Sequence, residues 1–276
     1  MPFLPLRQHE SASRREYERW TGWLDEQLTD PGCDRNELCR QILLELYFPQ
    51  LQGADLNALP ASARIALRQT DPRNITLEPE YYADIDTIQY APRKPLIWLW
   101  EMFDKSIAGE NVELGVKFRR VLARHVFASC GRNFKCFHFV KLSYGYKLQV
   151  GDDVVVHRHV LLDDRGGLVL GHRVSIADFA NIYSHTHDLA DGRDIELPAT
   201  VLGDGVRLTY HATVLAGVRL APDSMVGALA VATRDVASGQ VALGIPAQPK
   251  LSKPPVEARP KHPSTRDPLA DELKTP

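Results

Sequence analysis

Between Val150 and Val236 the chain repeats itself every six residues. Val150, Val156, Leu162, Leu170, Ile176 and Ile182 mark the beat, which resumes after an interruption at Leu202, Leu208, Val214, Leu220, Val226 and Ala232. All twelve are aliphatic. With hydrophobic residues at 44% of the sequence, such a run arises by chance on the order of once in 10^4 trials. The residue four places after each is small or β-branched: Val154, Val160, Gly166, Val174, Ala180, Thr186, Val206, Ala212, Val218, Ser224, Ala230 and Val236. A period of six suits neither an amphipathic helix nor an alternating strand. It predicts short strands wound into a coil, with one large aliphatic pointing inward per side and a small residue near each corner. Three hexads close one triangular turn, and stacked turns bury the faces their neighbours leave open.

The irregularities fit the same picture. Leu142 to Val150 and Leu162 to Leu170 each span eight residues rather than six, so turns starting at 130, 150 and 170 are spaced by 20. A corner loop longer by two residues produces that spacing. Ile182 to Leu202 is again 20, but its segment SHTHDLADGRDIELPATV is polar and off the beat. A solenoid that breaks its repeat once does so on the face that binds something.

The rest of the chain reads differently. Residues 1–105 are mainly helical, 106–129 a basic helical connector, 130–249 the solenoid and 250–276 a disordered tail rich in proline and charge. Ser13 with Glu16, and Asp34 with Glu37, have capping-box spacing ahead of the helical sets Tyr17, Trp20, Leu24, Leu28 and Leu38, Ile42, Leu46. The stretch 71–95, with DPRN, EPEYY and APRKP, reads as an extended linker. Trp20, Trp23, Trp98 and Trp100 all precede the solenoid, and helix packing on its first turn or an acceptor- or lipid-facing surface would each account for them. Lys117, Arg119, Arg120, Arg124, Arg132, Lys135 and Lys141 form a run with no acidic residue between its first and last members. That run is either the solvated face of a capping helix or a patch for anionic lipid or phosphate.

A net charge of -2 and a pI near 6.6 give no case for nucleic acid. No apolar run is long enough to span a bilayer, and the first fifteen residues lack a secretory core. The expected compartment is the cytoplasm, and Cys33, Cys39, Cys130 and Cys136, with no paired CxxC, are expected as free thiols.

KLSYGYKLQVGDDV, GLVLGHRVSIADFANIYSHTHD, LGDGVRL, VLAGV and GIPA, in that order, resemble the left-handed β-helix acyltransferases. This hexapeptide-repeat group includes maltose, galactoside and nodulation-sugar O-acetyltransferases. The resemblance covers roughly 130–249. It implies a mainly β fold, a left-handed parallel β-helix behind a helical N-terminal region, and a homotrimer with active sites between subunits. It also implies acetyl-CoA as acyl donor, no metal, and a small-molecule or glycan acceptor, while contact with a membrane surface is not favoured.

In the resembled enzymes the histidine at the position of His187 is a general base. An imidazole, with an ordinary pKa near 6.5, takes the proton from an attacking hydroxyl and returns one to the departing thiolate. His185 is the alternative. Asp188, Asp191, Asp194 and Glu196 are the carboxylates that could orient the base, and the resemblance favours Glu196. It also places the donor's pantetheine and nucleotide end on Ala228, Thr233 and Arg234.

The acceptor side departs from the family. Val155 and His157 stand where the galactoside enzyme has a tyrosine and an asparagine, and Arg207, Leu208, Thr209 and Tyr210 replace a Trp-Ile-Gly-like run. Candidate acceptor ligands are His157, Asp164, His185 and Tyr210. A serine O-acetyltransferase is a weaker match, because Asp163, Asp164 and Arg165 replace its aspartate-histidine pair. A gamma-class carbonic anhydrase would need three imidazoles on zinc, and His157, His185, His187 and His211 lack that spacing. A solenoid that has lost catalysis and serves as a scaffold is the remaining alternative.

Overall fold

The computed structural model describes residues 12–82, 84–188, 190–192 and 194–253. The six-residue beat becomes three parallel sheets wound around one apolar core. On the first side Cys130, Val150, Leu170, Leu202 and Leu220 lie in register. On the second, Cys136, Val156, Ile176, Leu208, Val226 and Ala242 do so. Leu142, Leu162, Ile182, Val214 and Ala232 line the third. All twelve residues of the beat are at most 4% exposed, and each fully buried Val, Leu or Ile contributes roughly 1.5–3 kcal/mol. Ten of the twelve small companions are buried too. Gly166 and Thr186 are the exceptions, because the first falls in a corner loop and the second in a hairpin strand of the polar interruption.

The two extra residues per turn collect at the corner between the third and first sides. There the loops 143–147 and 163–167 stack beneath the polar interruption, 183–199. The approach is close: a Cβ on Gly166 would sit 2.1 Å from the Ser184 carbonyl oxygen. Between the second and third sides the corners instead carry one residue each at positive φ: Phe139, His159, Phe179, His211 and Leu229. Their rings form a column, with centroids of Phe139–His159, His159–Phe179 and Phe179–His211 at 5.0, 4.7 and 4.9 Å.

Seven α-helices precede the solenoid among the described residues: α1 (Ala12–Thr29), α2 (Arg35–Tyr47), α3 (Ala61–Arg68), α4 (Glu78–Tyr82), α5 (Thr87–Tyr90), α6 (Lys94–Asp104) and α7 (Val112–Val126). Asp34 caps α2 as expected, accepting from the Asn36 and Glu37 amides. Ser13 does not cap α1, which already includes Ala12.

The stretch 71–95 is not an extended linker. It holds a 3-10 turn and two short helices, and its aspartates and prolines act as start signals: Asp71 and Asp86 cap, while Pro72 and Pro95 occupy first-turn positions.

Tryptophans tie the helices together and to the first turn. Trp20 stacks on Phe118 at 5.2 Å, and Trp100 reaches Phe127, which meets Phe134 of the solenoid. Arg119 is 1% exposed and donates to Asp104, to the Cys136 carbonyl and to the Gly109 carbonyl. Asp104 also accepts from the Phe139 amide at the foot of the ring column.

The basic run is therefore not a free patch. Lys117 pairs with Glu113, Arg124 with Asp25, Arg132 with Asp152 and Lys141 with Glu101, while Arg120 donates to the Phe134 carbonyl and Lys135 is buried. At the other end, Gln248–Ser252 forms an antiparallel strand on Gln240–Leu243. The first residues of the expected disordered tail are thus ordered, and 254–276 lie outside the described residues. Cys33, Cys39, Cys130 and Cys136 are free thiols. Among the described residues no helix is long and apolar enough to cross a membrane.

Candidate active site

The polar interruption folds back on itself. Thr186–His187 pairs antiparallel with Ile195–Glu196, with His187 opposite Ile195 and Thr186 opposite Glu196. Residues directly opposite in such a ladder share a face, so Glu196 points away from the face that carries His187. Among the described residues no hydrogen bond or ion pair links Glu196 to His187. The His187 ring is oriented instead by backbone: its Nδ1 lies 2.8 Å from the Gly192 carbonyl oxygen. A carbonyl only accepts, so in the neutral ring Nδ1 carries the proton and the lone pair sits on Nε2. The side chain is exposed, which leaves that lone pair open to a ligand. Asp188 closes the hairpin's tip, accepting from the Ala190 and Asp191 amides.

His185 is held by a carboxylate. Its Nδ1 lies 2.5 Å from Asp163 Oδ2, and Asp163 is 1% exposed. Ser143 Oγ and the Ser184 amide donate to the same carboxylate. Burial pushes the Asp163 carboxyl up, but the bonds from His185, Ser184 and Ser143 outweigh it and hold the group below the usual carboxylate range. The rings of His185 and His187 are 5.8 Å apart and nearly perpendicular.

A cavity of about 350 Å³ opens beside His185, within the range of small-ligand sites. The corner loops supply Ser143, Asp163 and Arg165, and the helical region supplies Glu78, Tyr90 and Glu101. A larger hollow of about 480 Å³ lies between the α1–α2 turn and Pro92. It contains no histidine and no unpartnered buried side chain.

The other expected site residues fall in three places. Asp164 is fully buried, and its carboxylate is committed to the Tyr144 and Lys147 amides of the loop below rather than presented to the cavity. His157 stacks on Phe137 at 4.8 Å on the second-side corner, where burial lowers its pKa. Tyr210 is 60% exposed on that same corner, next to the ring column. Ala228, Thr233 and Arg234 are exposed on the last turns.

His157 and His211 are thus set apart from His185 and His187. Among the described residues no group of three His, Cys, Asp or Glu side chains is placed to hold a metal ion. The residues missed from sequence are Asp163, Arg165, Ser143 and Tyr90. Only Asp163 left a signal: with turns of 20 residues it sits under Tyr183, two residues short of His185.

No protein-family model matches the chain. It is 26% identical over 136 residues to galactoside O-acetyltransferase of Escherichia coli strain K12, covering 48% of this chain and 66% of that protein. It is 27% identical over 128 residues to a Saccharomyces cerevisiae protein with an inferred acetyltransferase assignment, covering 45% and 65%. The aligned part thus falls just short of two thirds of either relative.

Maltose O-acetyltransferase of Clostridium difficile 630 superposes with a TM-score of 0.55 at 20% identity, over 65% of this chain and 99% of that one. A hexapeptide-repeat acetyltransferase of Vibrio cholerae, solved with acetyl coenzyme A, gives 0.52 at 20% identity, over 63% and 91%. At these identities the likeness is one of fold. The solenoid is the left-handed parallel β-helix of the hexapeptide-repeat acetyltransferases, and it is this group that the chain resembles.

Proposed function

We propose that the protein is an acetyl-CoA-dependent O-acetyltransferase that moves an acetyl group to a hydroxyl of a sugar or glycan-type acceptor, with His187 as general base. The observation that carries this reading is the fixed tautomer of His187. The Gly192 carbonyl holds the Nδ1 proton, so in the neutral ring a free Nε2 lone pair stands exposed on the hairpin that interrupts the six-residue beat.

His187 takes the proton as the acceptor oxygen attacks the thioester carbonyl. The carbon–sulfur bond then breaks, and the same proton passes to the leaving thiolate. Ala228, Thr233 and Arg234 suit the donor: small side chains leave room for a pantetheine arm, and a guanidinium in no ion pair among the described residues can meet phosphate. Galactoside and maltose O-acetyltransferases among the similar proteins support a sugar acceptor. We also propose a homotrimer, with the donor lying between subunits.

Thiol release from acetyl-CoA, followed with a panel of sugars, amino sugars and serine, tests the reading. Replacing His187 by alanine should lower kcat 10^2- to 10^4-fold, a barrier increase of roughly 3–5 kcal/mol. Turnover that survives His187→Ala removes the mechanism. Donor binding without turnover for any acceptor favours a scaffold.

A further inference from the structure

The cavity beside His185 contains more than the proposed reaction uses. Its charged side chains all have partners: Lys141 pairs with Glu101 and Arg165 with Glu78, while Asp163 bonds the His185 ring. Two donors are left over. Tyr90 Oη and Arg165 Nε are buried and, among the described residues, have no hydrogen-bond partner, although both side chains line the cavity. The residues themselves are 1% and 6% exposed. Arg165 Nε lies 3.7 Å from Asp163 Oδ1, too far for a hydrogen bond. Burial pushes the Tyr90 phenol up, so it stays protonated and remains a donor. A buried donor without an acceptor is destabilising, and a ligand oxygen that reaches it removes that penalty.

His185 adds a fixed acceptor to these donors. A carboxylate only accepts, so Asp163 keeps the proton of the neutral ring on Nδ1 and leaves the Nε2 lone pair free. Two imidazoles with their lone pairs on Nε2, 5.8 Å apart ring to ring, are spaced to reach oxygens on neighbouring carbons of one molecule. With His185 neutral, Glu78, Glu101 and Asp163 outnumber Lys141 and Arg165 in the lining, so an anionic acceptor would meet an excess of like charge.

We propose that this cavity takes the acceptor through its hydroxyls, as a diol or polyol without an anionic group. His185 accepts a hydrogen bond from the hydroxyl next to the one that is acetylated, while Tyr90 and Arg165 donate to other oxygens of the same molecule. His185 is then a positioning residue that sets which hydroxyl meets His187. This inference rests on the acetyltransferase reading above.

The test compares wild type with His185→Ala and His185→Gln on methyl galactoside, methyl glucoside and their monodeoxy derivatives. Because a site built to bond a hydroxyl rejects an analogue lacking it, one deoxy derivative should lose about 100-fold or more in kcat/KM with the wild type. With His185→Ala that ratio should collapse to a few-fold, and His185→Gln, which keeps a carbonyl acceptor, should restore part of it. Tyr90→Phe should raise the acceptor KM about tenfold and leave the acetyl-CoA KM in place.

A deoxy ratio equal in wild type and His185→Ala overturns this inference and leaves the acetyltransferase reading standing. If no acceptor is turned over, that reading fails, and calorimetric binding of methyl galactoside and its deoxy derivatives decides the cavity separately. Binding that discriminates in the wild type and not in His185→Ala upholds the diol site. No binding, or equal binding, overturns it.

Discussion

Two corners of the same solenoid carry histidines and use them in opposite ways. Between the second and third sides, His159 and His211 alternate with Phe139 and Phe179 in a column of parallel rings. Their side chains make no hydrogen bond among the described residues. Between the third and first sides, His185 and His187 each have Nδ1 fixed by an acceptor, Asp163 in one case and the Gly192 carbonyl in the other.

The residue type is shared, and the difference lies in loop length. One residue at positive φ turns the first corner tightly and leaves a ring only its neighbours' faces. The second corner has two extra residues per turn and then a whole hairpin. That gives backbone carbonyls and a buried carboxylate room to approach the imidazoles. Chemistry becomes available where the repeat loosens.

Several substitutions sharpen or break this contrast. Asp104→Ala removes the partner of buried Arg119 and the acceptor of the Phe139 amide. It undercuts the packing corner at its foot, and denaturant unfolding should show a loss of about 3–5 kcal/mol. Leu202→Ala opens a cavity where the chain rejoins the solenoid after the hairpin, next to Leu170 and Leu220. A loss of about 2–5 kcal/mol is expected by the same measurement.

The third test is pH. The folded-state pKa of Asp163 is depressed, so its contribution to stability is complete above the ordinary aspartate value, about 3.9. That contribution is lost as the pH falls through the lower folded value. Unfolding midpoints should therefore drop more steeply between pH 5 and roughly pH 2 for the wild type than for Asp163→Ala. Glu196→Gln should change kcat by less than about threefold, because its side chain faces away from His187. The smallest effect belongs to the exposed top of the ring column, where His211→Ala should shift stability by about 0.5 kcal/mol or less.

Much of the fold was legible because a period of six admits few architectures. The aliphatic beat from Val150 to Ala232 became the core residue for residue. The helical region was harder to read, since Pro72, Pro95, Asp71 and Asp86 serve equally as breakers and as helix starts.

Within the candidate site, the break in the beat pointed to the hairpin and the family resemblance pointed to His187. Its orienter was hidden, because the choice between Glu196 and the Gly192 carbonyl depends on hairpin register, and a one-residue shift reverses the face. Asp163 and Asp164 are adjacent in sequence yet opposite in role. One bonds a histidine above it and the other bonds backbone amides below it, and only the stacking of turns separates them.

Stopped-time assay of thiol release from acetyl-CoA, with a sugar acceptor and matched alanine variants of both corners, puts the contrast to its most direct trial. Loss of 10^2- to 10^4-fold in kcat for His187→Ala, with His211→Ala within about threefold of wild type, is the result expected. Turnover by His187→Ala at the wild-type rate would contradict the account.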